Sequence, residues 1–298
     1  MRHVIAPCRE LLICLCLLGL SAGFGYGAEA TVPKDSWPNY RNGLEQRGVA
    51  TSTLPDKLEL LWRHEAGEMV TATAAIVDGR VYIGTLKGEV LCLDLNNGDR
   101  IWTYRSIESD DPEEFAPGFN AAATVTADTV YIGDEDGVFH AINRENGKSR
   151  WKFKTNDQIV GGAAVVGENV IVGSHDQALY CLKTASGEKV WELVTEGPVN
   201  CSVAVVGNST FTTGCDGLLR VIDITTGQEN LELQQQVGSY VIASPAVMGD
   251  LLYVGNHDAE FWAVDWKNAK KLWTYKAKRR LFPYHSSAAV TDELVLVG

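Results

Sequence analysis

Past residue 35 the sequence has no useful stretch with the 3.6-residue apolar period of an amphipathic helix. That sets aside helical bundles and alternating α/β folds. Positive charge is also scarce: 26 Lys and Arg stand against 38 Asp and Glu, for a formal net charge of −12. Phosphate contacts need a basic face, so broad nucleic-acid binding is excluded. No apolar run is long enough for a comfortable membrane span; the best is LLICLCLLGL at residues 11–20. Past residue 30, G-x-S-x-G, H-E-x-x-H and a phosphate-cradling glycine loop are all missing, and Gly161-Gly162 reads as a strand entry.

The short apolar run is an address rather than part of the fold. Arg2 and Arg9 precede it, and Ala28-Glu29-Ala30 offers a cleavage site. Residues 1–30 are therefore expected to be a signal peptide and the mature chain to begin near Thr31, exported to the periplasm or beyond the cell. A lipid anchor would need a small residue before Cys14 or Cys16, where Ile13 and Leu15 stand. No transmembrane span is expected in the mature chain.

What the sequence has in abundance is glycine, 29 residues, and a beat. Tryptophan closes successive segments at Trp62, Trp102, Trp151, Trp191 and Trp273, with spacings of 40, 49, 40 and 82. The last is a double step, with Leu231 in the tryptophan place between. A second marker, glycine after an apolar run, falls at Gly84, Gly133, Gly173, Gly214, Gly255 and Gly298. Two independent markers share a period near 40, which is the signature of a repeat architecture.

One unit reads as four strands: 72–77, 80–84, 89–94 and 100–105. Asp78-Gly79 and Asn96-Asn97-Gly98 supply the turns, as tight hairpins require. Four short antiparallel strands per repeat make a propeller blade. Five complete blades and the start of a sixth are expected over residues 58–298, behind a lead-in at 31–57. The tryptophans are expected to dock blade on blade, each worth about 3–5 kcal/mol if buried.

The units GDEDGVFHAINRENGKSRW (133–151) and GSHDQALYCLKTASGEKVW (173–191) resemble the PQQ-like β-propeller repeat family. The stretch SWPNYRNGLEQRGVATSTLP (36–55) looks like the lead-in of its secreted bacterial members. The resemblance implies a ring of seven or eight blades, of which this chain is expected to be a fragment. It also implies that the strand near 58–64 completes the last blade. Two departures stand out: Leu231 for the tryptophan of blade four and Ala269 for the turn glycine of blade five. Each is expected to weaken its own blade.

Quinone-dependent dehydrogenases of this superfamily carry adjacent cysteines, an aspartate base and bound calcium. No Cys-Cys pair occurs here, and no loop gathers such groups. No catalytic residue, metal ligand or cofactor is therefore predicted, although PQQ and calcium belong to the family's repertoire. Asp136, Asp176 and Asp258 occupy equivalent turns and read as turn residues, as do His175 and His257. Cys92 and Cys181 share a small buried strand position with Ala141, Val221 and Ala263. Cys201 and Cys215 flank a turn near residues 207–209 and are read as a cross-strand disulfide.

One spacing breaks the beat. Residues 106–120 hold about nine extra residues and five acids: Glu108, Asp110, Asp111, Glu113 and Glu114. The matching junction between blades five and six is basic, with Lys278, Arg279 and Arg280. These eight residues are the candidate partner-binding set, on one face of the ring. The reading is a non-catalytic scaffold for protein partners, similar at fold level to BamB-type scaffolds of outer-membrane protein assembly. The alternative is a PQQ- or metal-dependent oxidoreductase.

Overall fold

The computed structural model describes residues 35–109, 111, 113–278 and 282–298. The expected signal peptide, Asp110, Arg279 and Arg280 lie outside the described residues. The first blade is an antiparallel sheet of β1 (Ala75–Val77), β2 (Arg80–Gly84), β3 (Glu89–Asp94) and β4 (Arg100–Arg105), paired in chain order. Four more four-stranded sheets follow among the described residues, each also paired between neighbours in sequence. A two-stranded sheet, Ala289–Val290 with Val295–Leu296, opens a sixth blade. The expected all-β propeller of five blades and the start of a sixth is what forms.

The tryptophans explain why the beat exists. Trp102, Trp151 and Trp191 belong to outer strands and Trp62 to the segment before the first blade, and each reaches the third-to-fourth-strand turn of the next blade. The indole N–H donates to a carbonyl there: Trp62 to Leu95 (2.8 Å), Trp102 to Arg144 (3.0 Å), Trp151 to Thr184 (2.9 Å) and Trp191 to Ile224 (2.9 Å). The ring then lies on the turn glycine. A Cβ on Gly98, Gly147, Gly187 or Gly227 would meet indole carbon at 2.5–2.8 Å, and all four glycines have φ between +71° and +75°. Glycine is required twice over, by conformation and by the ring above it. Trp273 has no such turn to meet among the described residues and is 44 % exposed.

The small strand position has the same cause. Cys92, Ala141, Cys181 and Ala263 sit directly across the strand pair from Trp102, Trp151, Trp191 and Trp273, and the register slips just after each. A small side chain leaves room for the indole. Burial raises the Cys92 thiol to about 11 and the Cys181 thiol to about 12, so neither is a reactive thiolate at neutral pH.

The two sequence departures meet at one joint. Leu231 is where blade four would dock on blade five, and Ala269 is the turn it would dock on. Trp266, at the end of the third strand of blade five, reaches back and packs edge-on against Phe211, 4.9 Å between ring centres, with its N–H on Gly249 O. Phe211 is thereby covered as Tyr82 is by Trp102 and Tyr131 by Trp151. Leu231 is left 72 % exposed. The position opposite the absent tryptophan holds the bulkier Val221.

Residues 58–64 form no ladder among the described residues. Trp62 docks as the outer tryptophan of a preceding blade would, while Leu58, Leu60 and Leu61 are 72–80 % exposed. The lead-in does more than precede the ring. It runs across the innermost strands: Trp37 exchanges two backbone hydrogen bonds with Ile76 (2.7 and 2.8 Å), and Pro38 O accepts from Val125 N. Leu44, Glu45 and Arg47 carbonyls then accept from Val205, Val247 and Val290. One strap so ties blades one, two, four, five and six by their inner edges, which would otherwise lack partners.

Opposite signs are expected at two equivalent turns. Gly187→Ala forces a left-handed φ and a clash with Trp151, and should cost about 2–4 kcal/mol. Ala269→Gly, at a turn already left-handed (φ 48°) and free of a docked indole, should stabilise by up to about 1 kcal/mol. Denaturant melts of the two variants measure both.

Candidate functional site

Each blade is entered by a short segment wedged between two corners. Its backbone N–H donates to the preceding blade's corner, as Phe119 does to Thr85 O, Ile159 to Asp134 O, Val199 to Ser174 O and Tyr284 to Asn256 O (3.0–3.1 Å). The carbonyl one residue earlier accepts from its own blade's corner: Gly118 from Glu135, Gln158 from His175, Pro198 from Cys215, Tyr240 from His257. This double clamp fixes the next residue in every blade at the ring's centre. Those residues are Asn120, Val160, Asn200, Ile242 and His285, and all line one cavity of about 290 Å³.

Two tiers below them come Ala122, Ser202 and Ser244, which line the same cavity. Here a belt of hydroxyls links the blades: Gly162 N donates to Ser202 Oγ (2.8 Å), Ser202 N to Ser244 Oγ (2.7 Å) and Ser244 N to Ser287 Oγ (2.9 Å). Tyr40 of the strap also lines the space, its Cβ beneath Gly162. The strap bonds lie further along the innermost strands than the cavity residues. The central opening is thus a funnel with a floor.

Around the mouth, His175 accepts at Nδ1 from Gln158 Nε2 (3.1 Å), and Asn200 Nδ2 donates to Cys215 Sγ (2.9 Å). Asn120 bridges Thr71 (2.7 Å) and Glu135 (2.8 Å). The Tyr240 phenol is held above its ordinary pKa, first by its hydrogen bond to Cys215 and then by burial. His257 packs edge-on against Tyr240 and beside His285, ring centres 5.3 and 5.4 Å away. The sequence placed both histidines in turns, and that placement holds. It missed that His175 lines the funnel and that His257 packs against its lining residues Tyr240 and His285. The signal lay in the beat itself, since Asn120, Val160 and Asn200 are spaced by 40 residues.

The acidic connection between blades one and two is built, not loose. Arg105 donates to three backbone carbonyls of the loop, Ser109 and Asp111 (both 2.7 Å) and Glu114 (2.9 Å). Its guanidinium is spent on carbonyls, so Glu108, Asp111, Glu113 and Glu114 all point outward and are exposed. Phe115 joins them, 79 % exposed. The matching junction between blades five and six shows Lys278 and Phe282 exposed. The two connections lead directly to Asn120 and His285, so both flank the same funnel mouth.

Beneath the acidic loop is a buried relay. Tyr104 OH meets His140 Nδ1 (2.8 Å), and His140 Nε2 meets Asp134 Oδ2 (2.8 Å). His140 and Asp134 are 0 % and 1 % exposed, so the set joins two blades and reaches no substrate. A second cavity, about 340 Å³, lies at the same joint. Its guanidinium groups are already paired: Arg80 with Glu145, Arg144 with Asp78, Arg150 with Asp128.

The expected disulfide is not formed; Cys201 and Cys215 are free thiols. The hairpin pairs Ala204 with Phe211, Val205 with Thr210 and Val206 with Ser209. Carried outward, that register sets Gly214 across from Cys201, and Cys215 one place further points to the other face. Cys201 instead packs against Thr212 Oγ1 (3.4 Å) inside the blade, while Cys215 faces the mouth.

Among the described residues, the funnel lining includes no Asp, Glu, Lys or Arg. These residues offer calcium no carboxylate and an anionic quinone no cation. The described lining does not fit a calcium–quinone centre. No His, Cys, Asp or Glu group able to hold a metal ion occurs among the described residues, and no helix there is long and apolar enough to cross a membrane.

The family model described as outer membrane protein assembly factor BamB matches residues 59–153 and 135–298. The chain belongs to this family. A BamB from Xanthomonas campestris pv. campestris is 28 % identical over 110 residues, covering 35 % of this chain and 27 % of that protein. A quinoprotein ethanol dehydrogenase from Pseudomonas aeruginosa is 29 % identical over 109 residues, covering 35 % and 18 %. The crystal structure of BamB from Moraxella catarrhalis superposes with a TM-score of 0.61 at 21 % identity, covering 72 % of this chain and 64 % of that one. The matches span less than two thirds of the relatives' own lengths. Within this BamB-type propeller, the funnel and its two charged connections are the features that regular repetition does not require.

Burial holds His140 below its ordinary pKa, against the opposing pull of Asp134. The folded chain therefore takes up this proton at lower pH than the unfolded chain does. The stability His140 contributes is whole above its unfolded value near about 6.5 and drains away as pH falls below it. Thermal melts from about pH 7 to about pH 5 should show a smaller loss for His140→Gln than for wild type.

Proposed function

We propose that this BamB-family chain is an exported, non-catalytic binding module that captures a protein partner on the funnel face. One observation carries the reading. Arg105 spends its guanidinium on the carbonyls of the acidic connection, which leaves a preformed row of outward carboxylates beside exposed Phe115. Ordering the loop in advance lowers the entropic cost of engaging a partner. The basic junction at Lys278, with Arg279 and Arg280 beyond the described residues, gives the same face a second sign of charge. Opposed charges of this kind orient a partner and speed its arrival. The export reading rests on the positively flanked apolar run at residues 11–20 and the Ala28-Glu29-Ala30 site.

Kinship with a quinoprotein ethanol dehydrogenase favours the competing reading, an oxidoreductase. Two experiments decide. Replacing Glu108, Asp111, Glu113 and Glu114 by Lys should leave the melting temperature unchanged and weaken partner retention at low salt. Exposed pairs contribute about 0.2–1 kcal/mol each, so about tenfold or more is expected for four. Unchanged retention removes the proposal. In the second, PQQ and calcium are added to the full-length protein and dye reduction by alcohols is followed; no turnover above a protein-free blank is expected, and turnover establishes the oxidoreductase.

A further inference from the structure

The funnel holds unspent hydrogen-bonding capacity, and the scaffold role does not use it. His175 accepts from Gln158 at Nδ1, so its proton sits on Nε2, and Nε2 is buried with no partner. An unsatisfied buried donor beside a cavity calls for an explanation. Asn200, which lines the cavity, gives its amide N–H to Cys215 and keeps its carbonyl oxygen as an acceptor. The hydroxyls of Ser202 and Ser244 accept backbone N–H groups, so each keeps its own proton to donate. Donors and an acceptor thus stand at two depths of the funnel.

Between these groups the surface is apolar or aromatic: Val160, Ile242, Tyr240 and His285. The absence of charge in the lining is selective. A charged guest would lose its water without gaining a counter-charge, at a cost of several kcal/mol. Tyr40 of the strap lines the funnel at the depth of Gly162. The volume, about 290 Å³, is at the small end for ligand pockets and suits a ring-sized guest.

We propose that the funnel is a binding site for a neutral polyhydroxylated ligand, a sugar residue or the end of a short glycan. Its hydroxyls meet the His175 Nε2–H, the Asn200 carbonyl and the serine belt. Its C–H face lies on Tyr240 and His285, whose rings offer a stacking surface. The site is independent of the acidic connection and stands whether or not that loop captures a protein.

Titration calorimetry and saturation-transfer NMR on the full chain test this, with glucose, N-acetylglucosamine, maltotriose and chitotriose as probes. At least one should bind by about 10 mM, and Asn200→Ala or His175→Phe should weaken it roughly fivefold each, as loss of one neutral hydrogen bond predicts. Val160→Trp, which fills the funnel, should abolish binding, whereas the four-lysine loop variant should bind the sugar as wild type does. Thermal melts of each variant separate lost binding from lost folding, and the two polar variants suffice should Val160→Trp fail to fold. Three results overturn the proposal: no binding of any probe by about 10 mM, binding that is indifferent to Asn200→Ala and His175→Phe, or tighter binding of an uncharged Gly-Ser-Asn tripeptide at the same residues.

Discussion

Everything in this molecule depends on an indole crossing from one blade to the next and resting on a glycine. A four-stranded blade cannot bury both faces alone, so its stability is the stability of its joints. The tryptophan supplies apolar area, a hydrogen bond to the neighbour's turn and a demand for two small partners. One is the turn glycine beneath it, such as Gly187; the other is the small residue across the strand, such as Cys181. Four features of the sequence that look separate are therefore one contact repeated: the tryptophan beat, the turn glycines, the small strand position and the register slip.

The joint between blades four and five shows how such a contact can be exchanged without loss. There the tryptophan, the glycine and the small residue are all gone together, at Leu231, Ala269 and Val221. An indole from the opposite side, Trp266, fills the space over Phe211. The unit that matters is the filled joint, not the identity of the blade that fills it.

The fold was legible because its markers are local and periodic. Three of the four strands of the first blade fall where turn chemistry and strand runs put them: 80–84, 89–94 and 100–105. The funnel was not legible, for a physical reason. Asn120, Asn200 and His285 are unremarkable polar residues after a turn; only closure of the ring brings them within one cavity. The histidines at 175 and 257 were seen as matching, but a turn position does not say which way a side chain points. The false disulfide has the same origin. Proximity along a hairpin was readable, whereas the one-residue offset that sends Cys215 to the other face depends on register. The acidic connection lay between these cases. Its length and charge stood out in the sequence, but its anchoring by Arg105 did not.

The strap over the inner strands places residues 37–47 in contact with strands far along the chain. Arg47 bonds to Val290, 243 residues away, through both backbone and side chain. Its docking groove is made of strands from blades one, two, four, five and six, so it does not exist until the sixth blade has begun to form. The strap must wait, unpaired, while the blades assemble beside one another through short-range joints. Contacts of such long range close late because their loop entropy is the last to be repaid. The strap therefore acts as a latch across the assembled blades. It sets apart a chain whose blades are merely stacked from one whose order has been locked.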